Sequence, residues 1–285
     1  MLENDEIIFE DFNIFAQMIE PPFNYTGSKY KILNQLLKYF DYTKDNFVDL
    51  FAGGGSVYAN VVQDYKIIYA NDIIKNLIDI HERIIDDAEN TIREVKKTVV
   101  SKDDKEGYHK LRDSYNLDPS PIKLYALMLC CTNNMMRFNK SFKFNQTFGK
   151  RTYNNNTEKK ILNFSRALQK YKNNLVFSSL DFKEFVVPDN SFIYIDCPYS
   201  NTLAGYNSYW DKSDDIELFN LCRDLNKREI TFAVSGVKIE GQEKCRLLKL
   251  LENEKYISVK EIECDYNKVS RAGKKNFKEV LLINY

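Results

Sequence analysis

Asp196, Cys197, Pro198 and Tyr199 follow directly on an apolar run, Ser191–Ile195. An ionised carboxylate only accepts hydrogen bonds, and the carbonyl of Cys197 is a second acceptor with no N–H after it, because Pro198 lacks one. Two acceptors side by side suit an amino group. A nucleobase amine that gives both hydrogens to such a pair loses the conjugation of its lone pair with the ring and becomes nucleophilic toward an electrophilic methyl group. Tyr199 supplies a face on which an extruded base can stack, worth about 1–3 kcal/mol. That offsets much of the cost of taking the base out of its helix. The thiol of Cys197 has no necessary part in this chemistry, and a small apolar filler is its simpler role.

A second constellation is Phe51-Ala52-Gly53-Gly54-Gly55-Ser56-Val57, which follows the apolar run Asn46–Leu50. Glycines at such a turn let backbone N–H groups approach a ligand. A phosphate-binding P-loop would close on Gly-Lys-Ser/Thr; this turn does not, and Gly27-Ser28-Lys29 lacks the preceding glycine spacing, so ATP is disfavoured. The next run ends in Asn71-Asp72, about twenty residues on, where nucleotide-type folds place a carboxylate against ribose hydroxyls. The two features read as the site of an adenosine-containing cofactor; a tight turn followed by a helix cap at Asp72 is the alternative.

Metal chemistry is not indicated. Cys130, Cys131, Cys197, Cys222, Cys245 and Cys264 form no C-x-x-C pair, and neither His81 nor His109 stands at ligand spacing from one of them. Reduced thiols are expected, with both histidines as surface or helix residues. The doublets Asp86-Asp87, Asp103-Asp104 and Asp214-Asp215 read as solvated charge.

Overall charge conceals a local asymmetry. Lys and Arg number 41 and Asp and Glu 41, so the total announces no polyanionic partner. From Pro119 to Thr157, however, there is no acid, while Lys123, Arg137, Lys140, Lys143, Lys150 and Arg151 are positive. Phe138, Phe142, Phe144, Phe148 and Tyr153 interleave with them, and Asn133, Asn134, Asn139, Asn145 and Gln146 add amides able to meet base edges. The stretch favours nucleic-acid contact over a merely solvated face.

Positioning these groups falls to an α/β sheet covered on both faces. Strands are predicted at Asn46–Leu50, Lys66–Ala70, Asn174–Ser178, Ser191–Ile195 and Ile230–Ser235, with a closing antiparallel pair near Tyr256–Glu263 and Phe277–Asn284. Between the second and third strands lie roughly a hundred residues, too long for a loop. Ile74, Leu77, Ile78, Ile84, Ile85, Ile92 and Val95 recur there at helical spacing, so an inserted, mainly helical lobe is expected. The longest apolar run, Leu124–Cys131, is far too short to span a bilayer. The first twenty residues carry Glu3, Asp5, Glu6, Glu10, Asp11 and Glu20 without Lys or Arg, unlike a targeting segment. A cytoplasmic protein with an acidic N-terminal extension is the expectation. The basic stretch Lys268, Arg271, Lys274, Lys275 and Lys278 is read equally as a strand connection or a phosphate contact.

From about Pro22 to its end the chain resembles the Dam-type, alpha-group adenine-N6 DNA methyltransferases. Asp196-Cys197-Pro198-Tyr199 is similar to their Asp-Pro-Pro-Tyr, and Tyr25-Thr26-Gly27-Ser28-Lys29 to their aromatic residue followed by Gly-Gly-Lys. Arg137-Phe138-Asn139, Phe144-Asn145 and Phe148-Gly149-Lys150 resemble the family's DNA-facing hairpin, here 137–151. Tyr206-Asn207 with Trp210, Ala233-Val234-Ser235 and Glu279–Tyr285 resemble its later catalytic segments. Departures are Ser28 for a glycine, Cys197 for the first proline, Phe142 for glycine and Thr147 for proline.

The resemblance implies a Rossmann-like methyltransferase fold with a mixed sheet, formed by 21–75 and 173–285, and a target-recognition insert at 76–172. It implies S-adenosylmethionine as cofactor, met by Tyr25, Lys29, Phe51, Gly53, Gly55, Ser56, Asp72, Asp181, Phe182 and Asp196. Asp196, Cys197, Pro198 and Tyr199 are then the catalytic set, and Arg137, Asn139, Lys140, Lys143, Asn145, Lys150 and Arg151 the DNA-binding set. Double-stranded DNA is the implied partner, a monomer the acting form, and a restriction endonuclease a genetic companion the resemblance allows. Cytosine-N4 methylation, where Ser more often stands in place of Asp196, and a DNA-binding relative impaired through Cys197 are the alternatives.

Overall fold

The computed structural model describes residues 18–198, 210–239, 245–263 and 277–285. Residues 1–17 of the acidic extension, Tyr199, Tyr206, Asn207 and Lys268, Arg271, Lys274 and Lys275 lie outside the described residues.

The chain runs through α1 (Leu33–Leu36), β1 (Asn46–Asp49), α2 (Tyr58–Val61), β2 (Ile67–Asn71), α3 (Lys75–Asp86), α4 (Ala88–Thr98), α5 (Lys105–Leu117), α6 (Pro121–Cys130) and α7 (Asn155–Gln169). It continues through β3 (Leu175–Ser178), β4 (Ser191–Ile195), α8 (Lys212–Lys227), β5 (Thr231–Ile239), α9 (Arg246–Glu252), β6 (Ser258–Ile262) and β7 (Phe277–Ile283). The strands make one sheet in the order β3-β2-β1-β4-β5-β7-β6. Among them only β7 runs against the rest, pairing antiparallel with both β5 and β6. This is the mixed α/β sheet the sequence predicts.

Sheet order reverses between β1 and β4, which lie side by side with Asp49 opposite Tyr194. Both strands end at the same edge, and in open α/β sheets ligands bind in the crevice beyond such a switch. Alternation along each strand feeds two cores. Phe47, Ile68 and Phe192 enter one apolar cluster, while Val48, Ile193 and Ile195 enter the other with Leu218, Cys222 and Phe232.

The first cluster runs without a break from the sheet into the insert, taking in Leu77 and Ile84 of α3, Val95 of α4, Leu124 of α6 and Phe164 of α7. α6 is the central helix of this layer: Leu124 through Cys130 are all buried. A helix apolar all round must be enclosed, and the longest apolar run of the chain is therefore core. The predicted helical stretch breaks at Asp87, whose side chain accepts from Asn90 N at 2.9 Å and caps α4.

Of the Asp doublets, Asp86-Asp87 and Asp103-Asp104 are exposed, as expected of solvated charge, although Asp87 and Asp104 also cap helices; Asp214-Asp215 corrects that expectation. Asp104 caps α5 by accepting from Gly107 N at 2.7 Å. Asp214 completes a capping box with Asp211 at the start of α8. Asp215 is fully buried and accepts from Trp210 Nε1 at 2.9 Å. Short acidic side chains near a helix start satisfy amide donors that the helix leaves unpaired. His81, expected on the surface or on a helix, lies on α3 and is fully buried.

Candidate active site

β1 delivers Asp49 to the sheet edge, and the turn after it is shaped by glycine. Gly53 and Gly55 have φ of +48° and +79°, in the region a side chain disfavours. Gly54 is needed for space: a Cβ there would stand 2.6 Å from Tyr25 Cβ. Tyr25 therefore lies packed over the turn, its ring against Gly53.

Beneath the turn, β2 and α3 hold it in place. Asp72 Oδ2 accepts from Gly53 N at 3.0 Å and Oδ1 from Ile74 N at 2.9 Å. His81 Nε2 meets the Gly53 carbonyl at 2.9 Å, and its Nδ1 lies 3.0 Å from the Tyr58 hydroxyl. A carbonyl only accepts, so Nε2 carries the proton and Tyr58 donates to Nδ1. Burial pushes His81 down to about 4, leaving a neutral ring near neutral pH. Asn71 joins neighbouring connections: its amide donates to Leu50 O and Leu180 O, and its oxygen accepts from Leu180 N and Ser178 Oγ.

Asp196 stands at the carboxyl end of β4. Lys29 Nζ lies 2.7 Å from each of its oxygens and 3.1 Å from Gly27 O. Lys29 is buried, which by itself lowers its pKa; the carboxylates of Asp196 and Glu279 outweigh that and raise it. Asp49 is raised too, which favours its neutral form. Burial lifts it to about 8, opposed by a hydrogen bond from Tyr58 N and reinforced by Asp196 and Asp72. Asp72 is lifted to about 6 by burial, against the two amides it accepts from. Of the carboxyls with raised pKa at this edge, Asp49 is thus held mainly protonated near neutral pH and Asp72 mainly charged.

Cys197 points into the second apolar cluster, only 2% exposed, and burial raises its thiol well above the ordinary range. It is a neutral filler beside a carboxylate. Phe51, Phe182 and Trp210 form a ring cluster at the same edge, with centroids 5.4–5.7 Å apart. Asp181, half-buried, has Oδ1 accepting from Lys183 N at 3.0 Å. Ser56 is buried in the turn, its carbonyl taking Asn60 Nδ2 at 2.8 Å. Tyr25, Lys29, Phe51, Gly53, Gly55, Ser56, Asp72, Asp181, Phe182, Asp196, Cys197 and Pro198 come from distant stretches of the sequence to the carboxyl ends of β1 to β4 and the segments around them. No group of His, Cys, Asp and Glu among the described residues has the makings of a metal site.

Isolated antiparallel bridges join Phe138 to Phe144 and Cys131 to Phe148. Alternation in the hairpin sends Phe138 and Phe144 into the core and leaves Arg137 and Lys143 exposed. Those two aromatics thus fix the hairpin rather than face outward with its charges. Lys140, Lys150 and Arg151 are also exposed. Asn139 spends its side-chain oxygen on the tip, accepting from Ser141 N and Lys143 N at 2.9 and 3.0 Å. Asn145 donates its main-chain N–H to Arg137 O, while its side-chain oxygen is buried with no partner. Lys123 is turned away, paired with Asp118 at 2.9 Å.

The residues that support this hairpin were invisible in the pattern. Asn116 of α5 clips Phe144 twice, donating to its carbonyl at 2.9 Å and accepting from its N–H at 2.7 Å. Tyr108 donates to Gln146 O at 2.8 Å. No spacing rule marks them, because their partners lie 28 and 38 residues away. Asn71, Tyr58, His81 and Glu279 were missed around the glycine turn for the same reason, although an Asn directly before Asp72 was a signal that β2 ends in a polar anchor.

Comparison with known proteins adds independent findings. The family described as D12 class N6 adenine-specific DNA methyltransferase matches residues 25–263. Modification methylase StsI of Streptococcus sanguinis is 32% identical over an alignment covering 94% of this chain and 43% of the relative. Type II methyltransferase M.FokI of Planomicrobium okeanokoites is 30% identical, with the same two shares. Type II methyltransferase M.CviBI of Paramecium bursaria Chlorella virus NC1A is 25% identical, covering 74% of this chain and 81% of the relative. The chain thus spans less than half the length of the first two relatives.

Proposed function

The chain belongs to the D12 class N6 adenine-specific DNA methyltransferase family, and from that premise we propose that it transfers a methyl group from S-adenosylmethionine to N6 of an adenine flipped out of double-stranded DNA. The observation that carries this reading is the position of Asp196: at the end of β4, beside the strand reversal, and joined through Lys29 to the segment that packs on the glycine turn.

The residues fit that cofactor. Gly53 and Gly54 leave a turn with room for only the Tyr25 ring above them. Lys29 is a buried cation suited to a carboxylate, Asp72 a mainly ionised acceptor suited to ribose hydroxyls, and Phe51 and Phe182 offer apolar faces for a purine. Gly55, Ser56 and Asp181 complete the set that would hold the group. S-adenosylmethionine, when bound, supplies the electrophilic methyl.

Asp196 and the Cys197 carbonyl accept the two hydrogens of the adenine amine and aim its lone pair; Pro198 offers no competing donor, and Tyr199 stacks on the base. Lys29, hydrogen-bonded to both oxygens, orients the Asp196 carboxylate until the amine arrives. Holding donor and acceptor in line accounts for most of the acceleration. Residues 21–75 and 173–285 are the catalytic part, and 76–172 the recognition part. Arg137, Asn139, Lys140, Lys143, Asn145, Lys150 and Arg151 then meet the DNA. The same reading gives a monomer acting in the cytoplasm, with a restriction endonuclease as genetic companion. Among the described residues no helix is long and apolar enough to cross a membrane.

Asp196→Ala tests the assignment. Tritiated methyl incorporation into duplex DNA should fall by at least about a thousandfold, near 4 kcal/mol of transition-state stabilisation, while the protein stays folded. Turnover equal to wild type would remove Asp196 from the chemistry.

A further inference from the structure

A cavity of about 410 Å³ lies between the segment Pro22–Asn24, the root of the hairpin and the first turns of α7. Its wall carries four cations, Lys102, Lys150, Arg151 and Lys160, and no acidic side chain. Lys150 and Arg151 belong to the hairpin surface assigned above to DNA, so the cavity continues that surface. Lys102 and Lys160 come from outside it.

Lys160 is already engaged. Its Nζ lies 2.6 Å from Glu20 Oε1 and donates to Asn24 Oδ1 at 3.1 Å. The Lys160 side chain is 15% exposed and that of Glu20 48%. An ion pair with one partner standing largely in water is weakly held, so another anion can take the ammonium at little cost. Glu20 is thus the counter-charge of one of the cations in the cavity wall.

We propose that this cavity seats a backbone phosphodiester of the DNA, and that the phosphate takes Lys160 from Glu20. The inference rests on the DNA reading of the hairpin and extends it to Lys102, Lys160 and Glu20. Four cations without an acid in the wall suit an anionic ligand and repel a cationic one. A phosphodiester also accepts from Lys and Arg at several oxygens and needs no base identity, which matches the Lys, Arg and Asn side chains of the wall. Competition for Lys160 gives the two halves of one ion pair opposite roles: Lys160 promotes binding and Glu20 opposes it.

Fluorescence anisotropy of a labelled duplex with the full chain separates this from a structural ion pair. Glu20→Gln should tighten binding about threefold, and Lys160→Gln should weaken it about tenfold and make the salt slope shallower by about 1. The double variant should bind like Lys160→Gln, because Glu20 acts only through Lys160. If both single variants weaken binding, or neither changes it, the inference fails. It fails too if Glu20→Gln still tightens binding in the Lys160→Gln background, since that is a general charge effect. Inorganic phosphate binding that depends on Lys160, with duplex binding that does not, would assign the cavity to a free anion instead. Both variants should titrate S-adenosylmethionine as the wild type does. A wild type that binds no duplex would overturn the proposed function and this inference together, whereas failure at Lys160 alone leaves the proposed function standing.

Discussion

The carboxyl edge of the sheet and the hairpin both work with charge, and they hold it in opposite ways. At the edge Lys29, Asp49 and Asp72 are buried, and each has partners within the chain. In the hairpin Arg137, Lys140, Lys143, Lys150 and Arg151 are exposed, and rigidity comes from uncharged groups behind them, Asn116, Tyr108, Phe138 and Phe144. Chemistry on one amine needs a fixed direction in a medium that does not screen it. Gripping a polyanion needs reach, and its strength comes from released counterions. Under the proposed function the contrast is a separation of tasks: one region is stiff in its charges, the other stiff only in its scaffold.

Salt breaks the comparison most widely. Five exposed hairpin cations imply a slope near −4.5 for duplex affinity against salt on logarithmic axes, a loss of several hundredfold between about 50 and 200 mM. Cofactor affinity, resting on buried groups, should move by less than about threefold over the same range. Parallel slopes in the two titrations would erase the distinction.

Gly54→Ala sharpens it from the other side. The new Cβ would meet Tyr25 Cβ at 2.6 Å, so the ring must leave the glycine turn. Calorimetry should show cofactor affinity down about a hundredfold, near 2.8 kcal/mol, with duplex affinity in anisotropy unchanged within about twofold. Equal losses in both would mean that the two regions share one structural unit.

Asp49→Asn has the smallest expected effect. Burial raises this carboxyl from 3.8 to about 8, so across that window the folded chain keeps a proton that the unfolded chain releases. Stability from this group is therefore lost as pH rises through the window. The amide cannot titrate and can still accept from Tyr58 N. Melting curves should show the variant gaining a few degrees on wild type between about pH 5 and pH 8, and a constant difference would mean that Asp49 is ionised throughout.

Much of the scaffold was legible because buried parallel strands are short apolar runs. The sequence boundaries at Ser191–Ile195 coincide with β4, and those of β1 to β3 differ by one residue at an end or two. β5 continues to Ile239, beyond the predicted Ser235, because its antiparallel ladder with β7 carries on past the parallel one with β4. The glycine turn, Asp72 and Asp196 were legible as residue types, and the sheet brings them to one edge. Asp215 was misread since its partner, Trp210, is a buried donor, and a run of acids looks the same whether or not an indole N–H waits above it. The contact His81 makes was missed because nothing in local sequence shows that a carbonyl 28 residues earlier needs a donor. Polar contacts that close a tertiary gap leave no period for a pattern to find.

The most direct test of the central claim is the identity of the methylated base. Duplex DNA incubated with the full chain and S-adenosylmethionine, then digested to nucleosides and analysed by mass spectrometry, should contain N6-methyladenine as its one methylated product. N4-methylcytosine, or no methylated nucleoside at all, would contradict the account.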